Sequence, residues 1–229
     1  MNFMKARIVL PLLGLLCGVT SLSASSVLIG NLTNYSSGDD TLLSQYYATT
    51  NTSTSSGKAI GFTMGSTDYN LDSVTLRLRE TTGAAPVVEI WAGTTTAITG
   101  TSALLTLTTP TGVSTTTFSS AVFTAPSTLT LTAGTTYYVV LRETGTETDW
   151  SYSSTASNRA ATGLTGVTAV NRLIGFAGSS PSTWTFASGV NNWFEIGVSA
   201  VPEPTTASGL WFGVVLCLGT LLRRRYHAV

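Results

Sequence analysis

From residue 71 to residue 79 the chain reads LDSVTLRLR, with Val74, Leu76 and Leu78 on one side and Thr75, Arg77 and Arg79 on the other. A period of two is that of a strand with one face buried. The run PVVEIW repeats it, setting Val88 and Ile90 against Val87, Glu89 and Trp91. These two runs are expected to pair as a hairpin that turns near Gly83. In STLTLTAGTTYYVVLRE an alternating strand meets a turn at Ala133 and Gly134, and an aromatic strand follows. Tyr137, Val139 and Leu141 share one face of that strand, while Tyr138, Val140 and Arg142 take the other. Further strands are predicted over 59–64, 103–108, 120–123, 127–132, 149–152, 172–176, 183–186 and 193–199. No stretch between the two ends of the chain carries a helical period. Many short strands joined by Gly, Pro and Thr turns predict an all-β fold, a two-sheet antiparallel sandwich of jelly-roll type, with a closed barrel as the alternative.

The two ends break this pattern. Residues 1–24 place Lys5 and Arg7 before an apolar run of about a dozen residues, and then a small-residue stretch ending near Ala24. That order is a secretory signal peptide, too short to span a bilayer core that needs roughly 20 helical residues. Cys17 follows Leu16, whereas a lipid-attachment site calls for a small residue there. At the other end, residues 201–229 run from Pro202, Glu203 and Pro204 through an apolar segment at 207–222 to Arg223, Arg224 and Arg225. The segment would form a transmembrane helix of about 24 Å against a hydrocarbon core of about 30 Å. The arginines would hold its end on the cytoplasmic side. A spacer, a short span and a basic stop read as a processing signal, with only transient inner-membrane association. Residues 26–200 form the expected extracellular domain between the two.

Composition narrows the chemistry. Both cysteines, Cys17 and Cys217, lie in the terminal apolar segments, and His227 is the only histidine. The body therefore lacks the groups for disulfides, histidine general-base catalysis, cysteine nucleophiles and ordinary zinc sites. No enzyme activity and no metal or other cofactor is expected. With six basic and ten acidic residues the body carries a net charge of −4. Nucleic acid, which binds through basic patches, is not an expected partner. The acids form small groups, Asp39 with Asp40, Asp68 with Asp72, and Glu143, Glu147 and Asp149. Such groups are the material for structural calcium or for a secreted glycoside hydrolase, while the plainer reading is solvated loops. Among the tryptophans and tyrosines, Trp150 and Tyr152 of DWSY would share one strand face, and an aromatic face can stack on a sugar ring. Asn31, Asn34 and Asn51 match glycosylation sequons.

Two resemblances add to this reading. The runs LTAGTTYYVVLRE, VFTAPSTL, LDSVTLRLRE and VEIW resemble the choice-of-anchor R domain of bacterial surface proteins across most of residues 27–199. The tail resembles the PEP-CTERM sorting signal, its Pro-Glu-Pro motif, membrane segment and arginine-rich end standing in order. This resemblance implies export by the Sec machinery and processing by an exosortase of a Gram-negative bacterium. Pro202, Glu203 and Pro204 would be the recognised residues and Arg223, Arg224 and Arg225 the basic stop. The expected product is a structural protein of the cell surface or the extracellular polysaccharide (biofilm) matrix, with a carbohydrate-binding module of the same layer as the alternative.

Overall fold

A computed structural model describes residues 24–36, 56–80, 86–142, 148–152, 160–176, 180–186 and 192–202. Thirteen strands appear among them: β1 (Ser26–Gly30), β2 (Ser56–Thr63), β3 (Tyr69–Glu80), β4 (Val87–Gly93), β5 (Leu105–Thr106), β6 (Ser119–Thr124), β7 (Thr130–Leu131), β8 (Thr136–Arg142), β9 (Thr148–Trp150), β10 (Thr162–Gly163), β11 (Thr168–Phe176), β12 (Thr185–Phe186) and β13 (Phe194–Ala200). The only helical turns among the described residues are two 3-10 turns, Leu32–Asn34 and Pro181–Thr183. The strands form two antiparallel sheets. One runs β10-β1-β13-β3-β6, with β7 and β9 also on β3, and the other runs β12-β11-β2-β8-β4-β5.

The alternating patterns place the shared core. Val74, Leu76 and Leu78 of β3, Val88 and Ile90 of β4, and Val139 of β8 are completely buried and belong to one apolar cluster fed by both sheets. Each such side chain contributes about 1.5–3 kcal/mol on burial, which makes this layer the main source of cohesion. The outer face of β8 is apolar as well. There Tyr138 and Val140 join Ala59, Trp91, Leu173, Ile98 and Trp184 in a second buried cluster. Ile98 comes from the loop after β4 and Trp184 from the end of the 181–183 turn, so irregular segments cover this side of the six-stranded sheet. Burial raises the Tyr138 phenol above its ordinary pKa of 10.0, and its hydroxyl donates to the Thr94 carbonyl at 2.8 Å.

The expected β3–β4 hairpin does not form. β3 lies between β13 and β6, whereas β4 lies between β8 and β5 in the other sheet. Alternation reports which face of a strand is buried and does not name the neighbour that carries its hydrogen bonds. Both runs turn an apolar face to the same core, but from opposite sides. β1 and β10 were not expected either: β1 follows directly on the apolar leader, and β10 is two residues of a Thr-Gly pair. The expected signal peptide (residues 1–23 of it) and the expected C-terminal membrane segment and basic stop (within 203–229) lie outside the described residues.

Candidate functional site

The longest strand, β3, exceeds the reach of any one neighbour, and its edge toward β13 is shared by two strands laid end to end. β13 pairs from Tyr69 to Leu76 and β9 pairs from Leu78 to Glu80. Arg77 sits at the junction. Its amide donates to the Trp193 carbonyl at 3.3 Å, its carbonyl accepts from the Ser151 amide at 3.0 Å, and the Trp193 amide donates to the Ser151 carbonyl at 3.0 Å. Two buried asparagines complete the seam. The Asn31 side chain donates to the Asn192 carbonyl at 3.1 Å and accepts from the Phe194 amide at 2.8 Å. The Asn192 side chain donates to the Trp150 carbonyl at 2.7 Å. On the outer side the Tyr35 ring meets Trp193 edge-on at 5.6 Å, and the Arg77 guanidinium lies 3.9 Å from the Tyr35 ring centre.

The candidate sugar contacts fall inside this seam. Trp150 is 3% exposed and belongs to the shared core, its indole N–H donating to the Trp193 carbonyl at 2.9 Å. Tyr152 is 7% exposed and bridges to Asn192. Neither ring presents a face to solvent, so the two do not form a stacking platform in this conformation. Asn31, a sequon match, is completely buried with its amide engaged, which leaves no room for a glycan on the folded chain. Asn34 is exposed, and its side chain donates to the Ala160 carbonyl at 3.1 Å. Asn51 lies outside the described residues.

Four of the described acids, Asp68, Asp72, Glu89 and Asp149, have separate structural tasks. Asp68 accepts from the Ala133 amide at 2.7 Å, which holds the turn before β8, and Asp72 accepts from the Ser199 hydroxyl at 2.8 Å. Arg79 donates twice to one oxygen of Asp149, at 3.1 and 2.5 Å, tying β9 to β3. Glu89 accepts from the Trp91 indole at 2.8 Å and lies 3.5 Å from Arg142. Among the described residues no three His, Cys, Asp or Glu side chains gather as a metal site, and Asp39, Asp40, Glu143 and Glu147 lie outside them. A groove of about 400 Å³ opens where β6 ends and β7 begins along β3, lined by Asn70, Asp72, Ser127, Thr128 and Ser199. Its lining offers hydroxyl, amide and carboxylate groups without an aromatic floor.

The last feature is the exit of the chain. β13 ends at Ala200, Val201 is half-buried and Pro202 is exposed. Glu203, Pro204 and the arginines Arg223, Arg224 and Arg225 lie outside the described residues. Comparison with known protein families, curated proteins and solved structures finds no match for this chain. Among the described residues no helix is long and apolar enough to cross a membrane.

Sequence reasoning missed the seam. Asn192 precedes a strand and Asn31 follows one, positions where asparagine ordinarily marks a turn. What makes them a lock is pairing across 161 residues of chain, for which no local pattern exists.

Proposed function

We propose that this chain is a secreted structural component of the cell surface or exopolysaccharide matrix, delivered by a signal peptide and released from the membrane by an exosortase. The observation that carries this reading is the exit of β13. The fold needs its last strand through Ala200, and the Pro-Glu-Pro motif begins after a single intervening residue, with Pro202 exposed. Pro202, the first residue of the motif, thus lies beyond the last described strand, and cleavage after it leaves every described strand intact. The body in this reading is a jelly-roll-like display domain. Its acids at 68, 72, 89 and 149 are engaged within the fold, which favours a structural role over hydrolysis. The rival role as a carbohydrate-binding module loses its aromatic platform with the burial of Trp150 and Tyr152.

The test replaces Glu203 with Ala in the producing host and follows the protein by intact mass in inner-membrane and surface fractions. The precursor should accumulate in the membrane and the mature form should disappear from the surface. Mature protein at the normal surface level in Glu203→Ala would overturn the reading.

A further inference from the structure

Between Leu71 and Val74 of β3, both turned to the core, lie two residues where a regular strand has one. The ladder with β13 shifts at this point: Ser73 pairs with Gly197 and Leu71 with Val198, which leaves Asp72 without an opposite residue. Such a bulge re-aims a side chain. Here it turns the Asp72 carboxylate onto the outer face of the seven-stranded sheet, beside Ser199 and Asn70, which are opposite each other in the same ladder. These three residues form one wall of the groove of about 400 Å³, and the connection between β6 and β7 forms the other.

Main-chain bonds fix that connection at both ends, the Ala125 amide donating to the Asp72 carbonyl at 2.9 Å and the Leu71 amide to the Leu129 carbonyl at 2.9 Å. Asp72 and Asn70 are each held by one partner. Asp72 Oδ1 accepts from the Ser199 hydroxyl at 2.8 Å, and Asn70 Oδ1 accepts from the Thr130 hydroxyl at 3.0 Å. Asp72 Oδ2 and Asn70 Nδ2 have no hydrogen-bond partner among the described residues. A carboxylate oxygen accepts, an amide nitrogen donates, and the exposed hydroxyls of Ser127 and Thr128 do either. Adjacent hydroxyls on a sugar ring supply the matching donors and acceptors. An anion, by contrast, would meet the Asp72 carboxylate with no basic side chain among the described lining residues. A calcium ion would find a single carboxylate, where such sites take about six to eight oxygens.

We propose that this groove binds one neutral hexose unit through its ring hydroxyls. Asp72 accepts from adjacent hydroxyls, the Asn70 amide donates to a hydroxyl beside them, and Ser127 and Thr128 bond the unit from the opposite wall. Its volume lies within the range of small-ligand clefts. The site needs no aromatic platform, because its polar groups are already held in place by bonds that the sugar does not replace. Without a stacking ring the affinity is low, with a Kd of about 1–10 mM. Of the proposed function this inference uses only the setting, an exopolysaccharide layer. The tail takes no part in the site, so the Glu203→Ala test and a sugar titration fail independently.

The test titrates the full-length, isotope-labelled chain, in a neutral detergent without sugar headgroups and with EDTA present, and follows it by NMR. The probes are the methyl glycosides of glucose, galactose and mannose, and tetrasaccharides of each. At least one methyl hexoside should shift the Asn70 side-chain amide and the backbone amides of Ala125, Ser127 and Thr128 saturably. A matching shift with its tetrasaccharide assigns the unit to a glycan chain, and a shift with the monosaccharide alone assigns it to a free sugar; either result upholds the site. Asp72→Asn keeps an acceptor for Ser199 but replaces the free carboxylate oxygen with a donor, and Asn70→Ala removes the amide. Each should weaken binding at least about tenfold, or about 1.4 kcal/mol, with unchanged melting. Should Asn70→Ala unfold, Asp72→Asn decides alone. The proposal fails if no sugar shifts these signals at about 50 mM, well above the expected Kd. It also fails if they respond to calcium in place of sugar, or if Asp72→Asn binds as the wild type does, because the sugar then sits on another face.

Discussion

Trp184 lies flat on the outer face of the six-stranded sheet, directly over Gly57 of β2 and Gly175 of β11. A methyl group built at either glycine would run into its indole ring. Gly61 plays the same part for Tyr138, where a Cβ would come within 2.7 Å of the ring. These glycines occur in strands, where the residue type is ordinarily a weakness, because a bulky ring needs a floor without side chains. Gly175→Ala is accordingly expected to cost about 1–3 kcal/mol, the usual penalty for overfilling a packed site. Urea unfolding should show a lower midpoint with little change in slope, together with a shift in tryptophan fluorescence. A midpoint equal to the wild type would mean that Trp184 does not rest on that floor. The aromatic residues were visible in the sequence as material for packing. Their assignment to an outer cluster was not, because Trp184 reaches the sheet through a turn and has no strand periodicity of its own.

At the level of elements, the seam between β9 and β13 holds two strands in line along one edge of β3. Asn192 donates to the Trp150 carbonyl at 2.7 Å, and at 3.4 Å to the Ser151 carbonyl that also takes the Trp193 amide, where neither strand provides a continuous ladder. Asn192→Ala removes its donor to the Trp150 carbonyl and leaves that buried group without this bond, a loss of about 1–3 kcal/mol. Hydrogen exchange should show the amide of Ser151 losing protection before those of β2 and β8. Equal loss in all strands would contradict a local lock. Face assignment was legible for β3 and β4 because the residues they turn to the shared core alternate with the others, whereas β8 is buried on both faces. Strand pairing was not: β3 and β4 are neighbours in the chain, yet their ladders belong to different sheets. A run of alternating residues is compatible with any partner of similar pattern, and the choice depends on how the connections let the sheets close over the core.

For the whole molecule, the decisive contact joins the two ends of the body. β1 pairs with β13 and β13 with β3, with Ser26 opposite Val198, so the seven-stranded sheet cannot be completed until the last strand has been made. Closing so long a loop is entropically costly and repaid only when all of these strands dock. A chain truncated after Pro202 should therefore keep a cooperative thermal transition, whereas one truncated after Asn192 should lose it, as circular dichroism would report. A cooperative transition in the shorter chain would show that the sheet tolerates loss of β13. The sequence by itself determined the all-β class, the buried faces of the principal strands, the lack of histidine and cysteine chemistry in the body, and the distinct character of both ends. These follow from composition and from periods of a few residues, which need no knowledge of distant neighbours. Only the tertiary structure decided which strands share a sheet, that Trp150 and Tyr152 turn inward, that Asn31 and Asn192 lock a seam, and that β6 is the one long edge among the described strands. Each of those is set by partners far away along the chain, where hydrogen bonding and burial are satisfied only once both sheets are assembled.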